Sequence, residues 1–113
     1  MAYDEELTDR FRNALDGLGG IVEKRMMGGV VFMLDGNMLG GANRQKTGEG
    51  RFMFRVGKDN EAEALQRPGA MTMEQGGRKM TGLIFVNEDD CGPDELRNWI
   101  ALALTFVGNL PPK

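Results

Sequence analysis

The sequence predicts an α+β fold in which helices cover one face of an antiparallel sheet of about five to six strands. Amphipathic helical repeats stand at both ends of the chain, and strand-length runs with a short helix among them fill the middle. The order helix, three or four strands, short helix, one or two strands, helix is not the alternation that builds a parallel sheet.

In "DEELTDRFRNALDGLGG", Leu7, Phe11, Leu15 and Leu18 make one apolar helical stripe. Asp4, Glu5 and Glu6 suit the positive first turn, and Gly17, Gly19 and Gly20 supply a stop. "IVEKRM" from Ile21 alternates as a strand. Val30 to Leu34 is an apolar strand, "DGN" at 35–37 a hairpin turn, and Met38 to Asn43 its return.

After the polar connection "RQKTGEG", the strand "RFMFRVG" turns Phe52, Phe54 and Val56 inward and Arg51, Met53 and Arg55 outward. "KDNEAEALQRPG" reads as a short helix capped by Asp59 or Asn60 and ended by Pro68 and Gly69, with Ala62 and Leu65 or Gln66 inward. Met71 and Met73, a turn at Gly76 and Gly77, and the buried strand "LIFV" at 83–86 form a further hairpin. Pro93 opens the last helix, whose stripe is Leu96, Ile100, Ala103 and Val107, widened by Trp99 and Phe106 and ended by Gly108.

With 113 residues, 41% hydrophobic and 27% charged, the expectation is one globular domain, 1–113, able to fold without disulfides or a structural metal. The polar, acidic start and the lack of a bilayer-length apolar run predict a cytoplasmic protein with no membrane association. The lone Cys91 reads as an incidental residue just before a helix.

No histidine and no serine occurs anywhere. Serine triads, cysteine–histidine dyads and histidine-ligated metals are thereby unavailable to this chain alone, so no catalytic residues, metal ligands or cofactor are assigned. The run "MMGGVVFMLDGNMLGG" has neither a GK[ST] nor a GxGxxG spacing, and its glycines lie between strands, which favours a hairpin over a phosphate loop. The dispersed methionines read as core or interface filler before a soft-metal site. Glu88, Asp89, Asp90, Asp94 and Glu95 lack the calcium-loop pattern and suit a solvated loop before a helix.

Charge is uneven: residues 24–79 hold ten Lys/Arg against six Asp/Glu, and the flanks hold four against eleven. Lys24, Arg25, Arg44, Lys46, Arg51, Arg55, Lys58, Arg78 and Lys79 form either a solvated face that discourages edge pairing or a site for anions or an acidic protein. The acidic pI and the absence of aromatics interleaved with the arginines disfavour direct DNA binding. The candidate partner-binding residues are Arg51, Met53, Arg55, Arg78 and Lys79. An alternative is a small-molecule or anion pocket between sheet and helices, entered near Arg78 and Lys79. An exposed edge strand could also pair two copies into a homodimer.

The succession "EKRMMGGVVFMLDGNMLGG", "FRVG", "RPGAMTM", "GRKMTGLIFV" and "DELRNWIALAL" resembles the TfoX N-terminal domain family over nearly the whole chain. The resemblance implies a two-layer, secretion-chaperone-like α+β domain with an antiparallel sheet. It also implies a regulatory role in natural competence, with the transcription machinery as partner and no enzymatic activity. Family regulators carry a second, helical C-terminal domain, whereas this sequence ends at Lys113. It also has Met27 where phenylalanine is common, and a longer "NRQKTGEG" connection.

Overall fold

The computed structural model describes residues 5–26, 29–45, 47–75 and 77–112. Asp4, Met27, Gly28, Lys46 and Gly76, each given a place by the sequence, lie outside the described residues. The elements run α1 (Glu5–Ala14), β1 (Ile21–Met26), β2 (Gly29–Leu34), β3 (Asn37–Arg44), β4 (Gly50–Arg55), a 3-10 turn (Lys58–Asn60), α2 (Glu61–Ala64), β5 (Ala70–Gln75), β6 (Arg78–Asn87), a second 3-10 turn (Glu88–Asp90) and α3 (Pro93–Val107). The six strands form one sheet in the order β1-β2-β3-β4-β6-β5, with every neighbouring pair antiparallel. The fold is α+β, as the sequence predicts.

The β2–β3 hairpin follows directly from local chemistry. Asp35 (φ 50) and Gly36 (φ 86) both take left-handed backbone, the primed two-residue turn whose twist matches that of the strands. Asn37 then starts β3, buried, and its amide donates to the Pro111 carbonyl at 2.9 Å, fastening the C-terminal tail to the hairpin.

Two irregularities shape the sheet. Phe32 pairs with Gly40 but Met33 pairs with Met38, so Leu39 is an extra residue in β3. That bulge puts Leu39 into the helix-side core and sets Gly40 beneath the Phe11 ring. In β6, Thr72 pairs with Ile84 while Met73 pairs with Met80, leaving residues 81–83 outside the β5 ladder. Gly82 sits there at φ 85, where a left-handed backbone favours glycine. Its carbonyl accepts from Val56 and Gly57 N–H, and its own N–H donates to Glu61 Oε2 at 2.7 Å.

The main core lies between the sheet and the helices. Phe11 of α1 stacks on Phe32 with ring centroids 4.6 Å apart and also meets Phe54 at 5.8 Å and Phe52 at 6.1 Å; Trp99 of α3 stacks on Phe54 at 5.3 Å. Each such pair adds about 0.5–1.5 kcal/mol beyond area burial. The stripes Leu7, Phe11 and Leu15 of the first helical segment and Leu96, Ile100, Ala103 and Val107 of α3 are buried against them, as their spacing predicts. Trp99 is buried with them and Phe106 only partly so.

Three expectations are corrected. Leu18 is exposed, because α1 stops at Ala14 and Gly17 turns the chain at φ 90, which takes Leu18 off the helical stripe. At α2, Ala64 is the fully buried residue and Leu65 packs half-buried against the core as expected, whereas Ala62 and Gln66 are exposed. The 3-10 turn before α2 advances three residues per turn, which shifts the phase of the inward stripe. Asn60 makes no capping bond; its amide instead bridges the Val56 carbonyl and Thr105 Oγ1, both at 3.0 Å, tying this corner to α3.

A Cβ on Gly40 would overlap the Met53 carbonyl oxygen and stand 3.0 Å from Phe11 Cζ. Neither backbone nor stacked ring can move aside cheaply, so Gly40→Ala should destabilise the fold by roughly 1–3 kcal/mol. An unchanged urea midpoint would show that β4 and Phe11 accommodate a methyl at this position.

Candidate interaction face

Strand register sorts side chains onto two faces. Toward the helices point Ile21 and Glu23 of β1, Val30 and Phe32 of β2, Phe52 and Phe54 of β4, and Ile84 and Val86 of β6. Alternation sends Val22, Lys24, Val31, Met33, Arg51, Met53, Arg55, Leu83 and Phe85 to the other side. The bulge at Leu39 keeps Met38 opposite Met33 on that second face.

This second face is apolar at its centre. Val31, Met53, Leu83 and Phe85 form a buried cluster of their own, with Met33, Met38 and Met80 packed around them. The helices do not cover it; their contacts with the strands belong to the helix-side core. Among the described residues, its cover comes from the long side chains of the face itself. The Arg51 guanidinium lies 3.6 Å from the Phe85 ring centroid, a close cation–π contact. At the two margins Val22 and Met71, partners in register of Met33 and Phe85, are exposed.

The five residues singled out by the sequence separate into three environments. Met53 is buried in the second cluster rather than directed to solvent, because Met33, Met38 and Met80 pack against that cluster. Arg51 is half-buried and its Nε donates to Asn43 Oδ1 at 3.4 Å; burial holds its pKa below the usual range, opposed by the nearby Glu49 charge. Arg55 leaves the same strand face at its end and places its guanidinium 5.3 Å from the Phe106 ring centroid. Arg78 is exposed at the β5–β6 turn. Lys79 turns the other way and pairs with Glu61 at 2.7 Å.

Glu61 is therefore a structural anion. Its carboxyl is held below the ordinary value of 4.5 by the bond from Lys79 and by the Gly82 N–H. Glu88, from the acidic run after β6, is committed to the fold in the same way, since its Oε2 accepts from Gly50 N–H at 2.9 Å and from Arg44 at 3.0 Å. Cys91 is fully buried, and burial pushes its thiol up to about 12, which keeps it protonated and non-nucleophilic. No three His, Cys, Asp or Glu side chains gather as a metal site among the described residues.

Two described cavities lie away from this face. One of about 520 Å³ runs along α3 and includes Arg67, Trp99, Leu102 and Thr105, with the Arg67 guanidinium 4.9 Å from the Trp99 ring centroid. Another of about 250 Å³ lies between α1 and α3 beside Arg10, Ala14 and Leu96. Neither is lined by Arg78 or Lys79. No described helix is long and apolar enough to cross a membrane.

The family model of the TfoX N-terminal domain matches residues 13–107, from the end of α1 through the last residue of α3. The chain belongs to the TfoX N-terminal domain family. It matches no curated protein and no solved structure. The matched span of this TfoX_N chain contains every strand and hence both faces of the sheet.

Sequence reasoning found Arg51 and Met53 on one outward face but missed Val31, Leu83 and Phe85 as their neighbours. The signal was available: "VVFML" and "LIFV" are continuous apolar runs, which mark strands apolar on both faces rather than one.

Glu61→Ala should cost about 1–3 kcal/mol, since it leaves the buried Gly82 N–H without its acceptor. Because the folded-state pKa values of Glu61 and Glu23 are lowered, their stabilisation is present above pH 4.5 and is lost as pH falls through the folded values. Urea midpoints from pH 7 down to 3 should therefore decline, less steeply in Glu61→Ala. Cys91 should resist alkylation at pH 8 in the native protein and react on denaturation; rapid native labelling would contradict its burial.

Proposed function

We propose that this TfoX_N chain is a non-enzymatic protein-interaction module of the competence-regulator type, working in the cytoplasm on a partner in the transcription machinery. The observation that carries the reading is the second apolar cluster, Val31, Met53, Leu83 and Phe85, on the sheet face that no described helix covers. An apolar centre with a cationic margin has the anatomy of an interface, and methionines adapt to a partner's shape. Family membership supports the regulatory class. The non-enzymatic part rests on the missing histidine and serine and on the buried, protonated Cys91.

A small-molecule reading has one observation in its favour, the cavity of about 520 Å³ beside Trp99. A thermal-shift screen addresses it, because a ligand that binds only the folded state raises the melting temperature by mass action.

The interaction reading is tested by purifying the tagged full chain from its native cytosol beside an Arg51→Glu variant of unchanged circular dichroism. A stoichiometric protein should accompany the wild type and be depleted at least several-fold from the variant. Identical co-purification profiles would refute the role of this face.

A further inference from the structure

The geometry points to an acidic amphipathic helix of a partner protein as the occupant of the second sheet face; this deepens the interaction-module reading and rests on it. Three cations stand on that face: Lys24 on edge strand β1, Arg51 near the start of β4, and Arg78 beside the β5–β6 turn; Arg55 leaves the end of β4 and carries its guanidinium to Phe106 of α3. Lys24, Arg51 and Arg78 ring the apolar centre. Among the described side chains, no strand carboxylate shares the face, and no ion pair joins these three to an acid; Glu49, from the loop before β4, is the carboxylate that comes near Arg51.

On the helix side the pattern is the reverse. Glu23 binds Arg12, Glu61 binds Lys79 and Glu88 binds Arg44, so these three cations are neutralised there. Lys24, Arg51 and Arg78, which no strand carboxylate of their own face neutralises among the described side chains, thus surround the apolar centre that no described helix covers. A complementary occupant has an apolar stripe for Met33, Met38, Met80 and the cluster beneath them, flanked by carboxylates for the ring.

Six strands spaced 4.7–4.9 Å apart make the sheet roughly 24 Å wide, a distance covered by about 16 helical residues. A second copy of the chain would bring two rings of like charge together across a two-fold axis, which disfavours self-association through this face. Nucleic acid would answer the charge but would leave the apolar centre without a partner; Phe85, 7% exposed and capped by Arg51, is not offered for base stacking.

The test uses the full chain with 13C-labelled methionine methyl groups. It is titrated with an 18-residue helical peptide of leucine at i, i+3, i+4 and i+7 and glutamate elsewhere, with a matched peptide carrying lysine for glutamate, and with duplex DNA. The glutamate peptide should shift the Met33, Met38, Met53 and Met80 signals saturably and bind at least about tenfold more tightly than the lysine peptide. Lys24→Glu with Arg78→Glu, two exposed positions that leave the Arg51–Phe85 contact in place, should reduce or invert that preference.

No methionine shift at millimolar glutamate peptide, or equal shifts with both peptides, would overturn the assignment. Shifts with DNA alone would transfer the face to nucleic acid, and concentration-dependent shifts without peptide would transfer it to a second copy. If a cytosolic protein is still lost with Arg51→Glu while the peptide moves no methionine, the acidic-helix assignment fails and the interaction-module reading stands.

Discussion

The contact between the Phe11 ring and Gly40 is the constraint on which the rest of the fold depends. A residue without Cβ lets β3 lie against the Met53 carbonyl with α1 settled close above it, and at that depth Phe11 stacks on Phe32 while also meeting Phe52 and Phe54. The bulge at Leu39 supplies the position, since without an extra residue Gly40 would not lie opposite Phe32. Trp99 continues the aromatic layer from Phe54 to α3. Burying side chains of this size contributes about 1.5–3 kcal/mol each, enough to define which sheet face the helices take.

That choice of face has a consequence for the other one. Period-two alternation forces whatever stands between the core aromatics to point away from the helices, and in β4 these residues are Arg51, Met53 and Arg55. In β2 and β6 the intervening residues include Val31, Met33, Leu83 and Phe85. A sheet whose strands are apolar on both sides cannot leave its second side fully wet. Long, flexible side chains close it: methionines at the periphery and the Arg51 guanidinium over Phe85. Such a cover can rearrange at a smaller cost than a packed helix, because methionine has three rotatable bonds and an arginine stem can snorkel.

Much of this was legible in the residues. The helical stripes, the Asp35-Gly36 turn, the inward Phe52 and Phe54 and the order of elements all follow from local periodicity and turn chemistry. The helix-side half of the sheet therefore followed from the sequence. What local pattern could not supply was pairing at long range. The position of β6 between β4 and β5, which sets Phe85 beside Met53 and under Arg51, is a tertiary fact. So is the use of Glu61 as acceptor for Gly82, because the bulge at residues 81–83 arises only when β6 pairs with both neighbours. Leu18 and Ala62 were misplaced for a related reason: a helical stripe continues only as far as the helix does, and short 3-10 turns reset its phase.

Charge gains its meaning from the same register. A count along the chain shows a basic middle with acidic flanks, which is compatible with a solvated surface and with a binding site alike. Folding sets Lys79 and Arg44 apart from Lys24, Arg51 and Arg78. Acids from α2 and the 3-10 turn after β6 neutralise Lys79 and Arg44 on the helix side, where Glu61 and Glu88 also hold backbone N–H groups. Those carboxylates are committed to the fold and cannot reach round the sheet to Lys24, Arg51 or Arg78. A cation left without an acid costs little in water, so solvation alone could explain each of the three. Solvation does not explain their collection around an apolar cluster that no described helix covers, since a merely wet face would carry alternating polar residues in place of Val31, Met53, Leu83 and Phe85. The pairing of an unneutralised ring with an apolar centre is what separates an interface from an incidental surface.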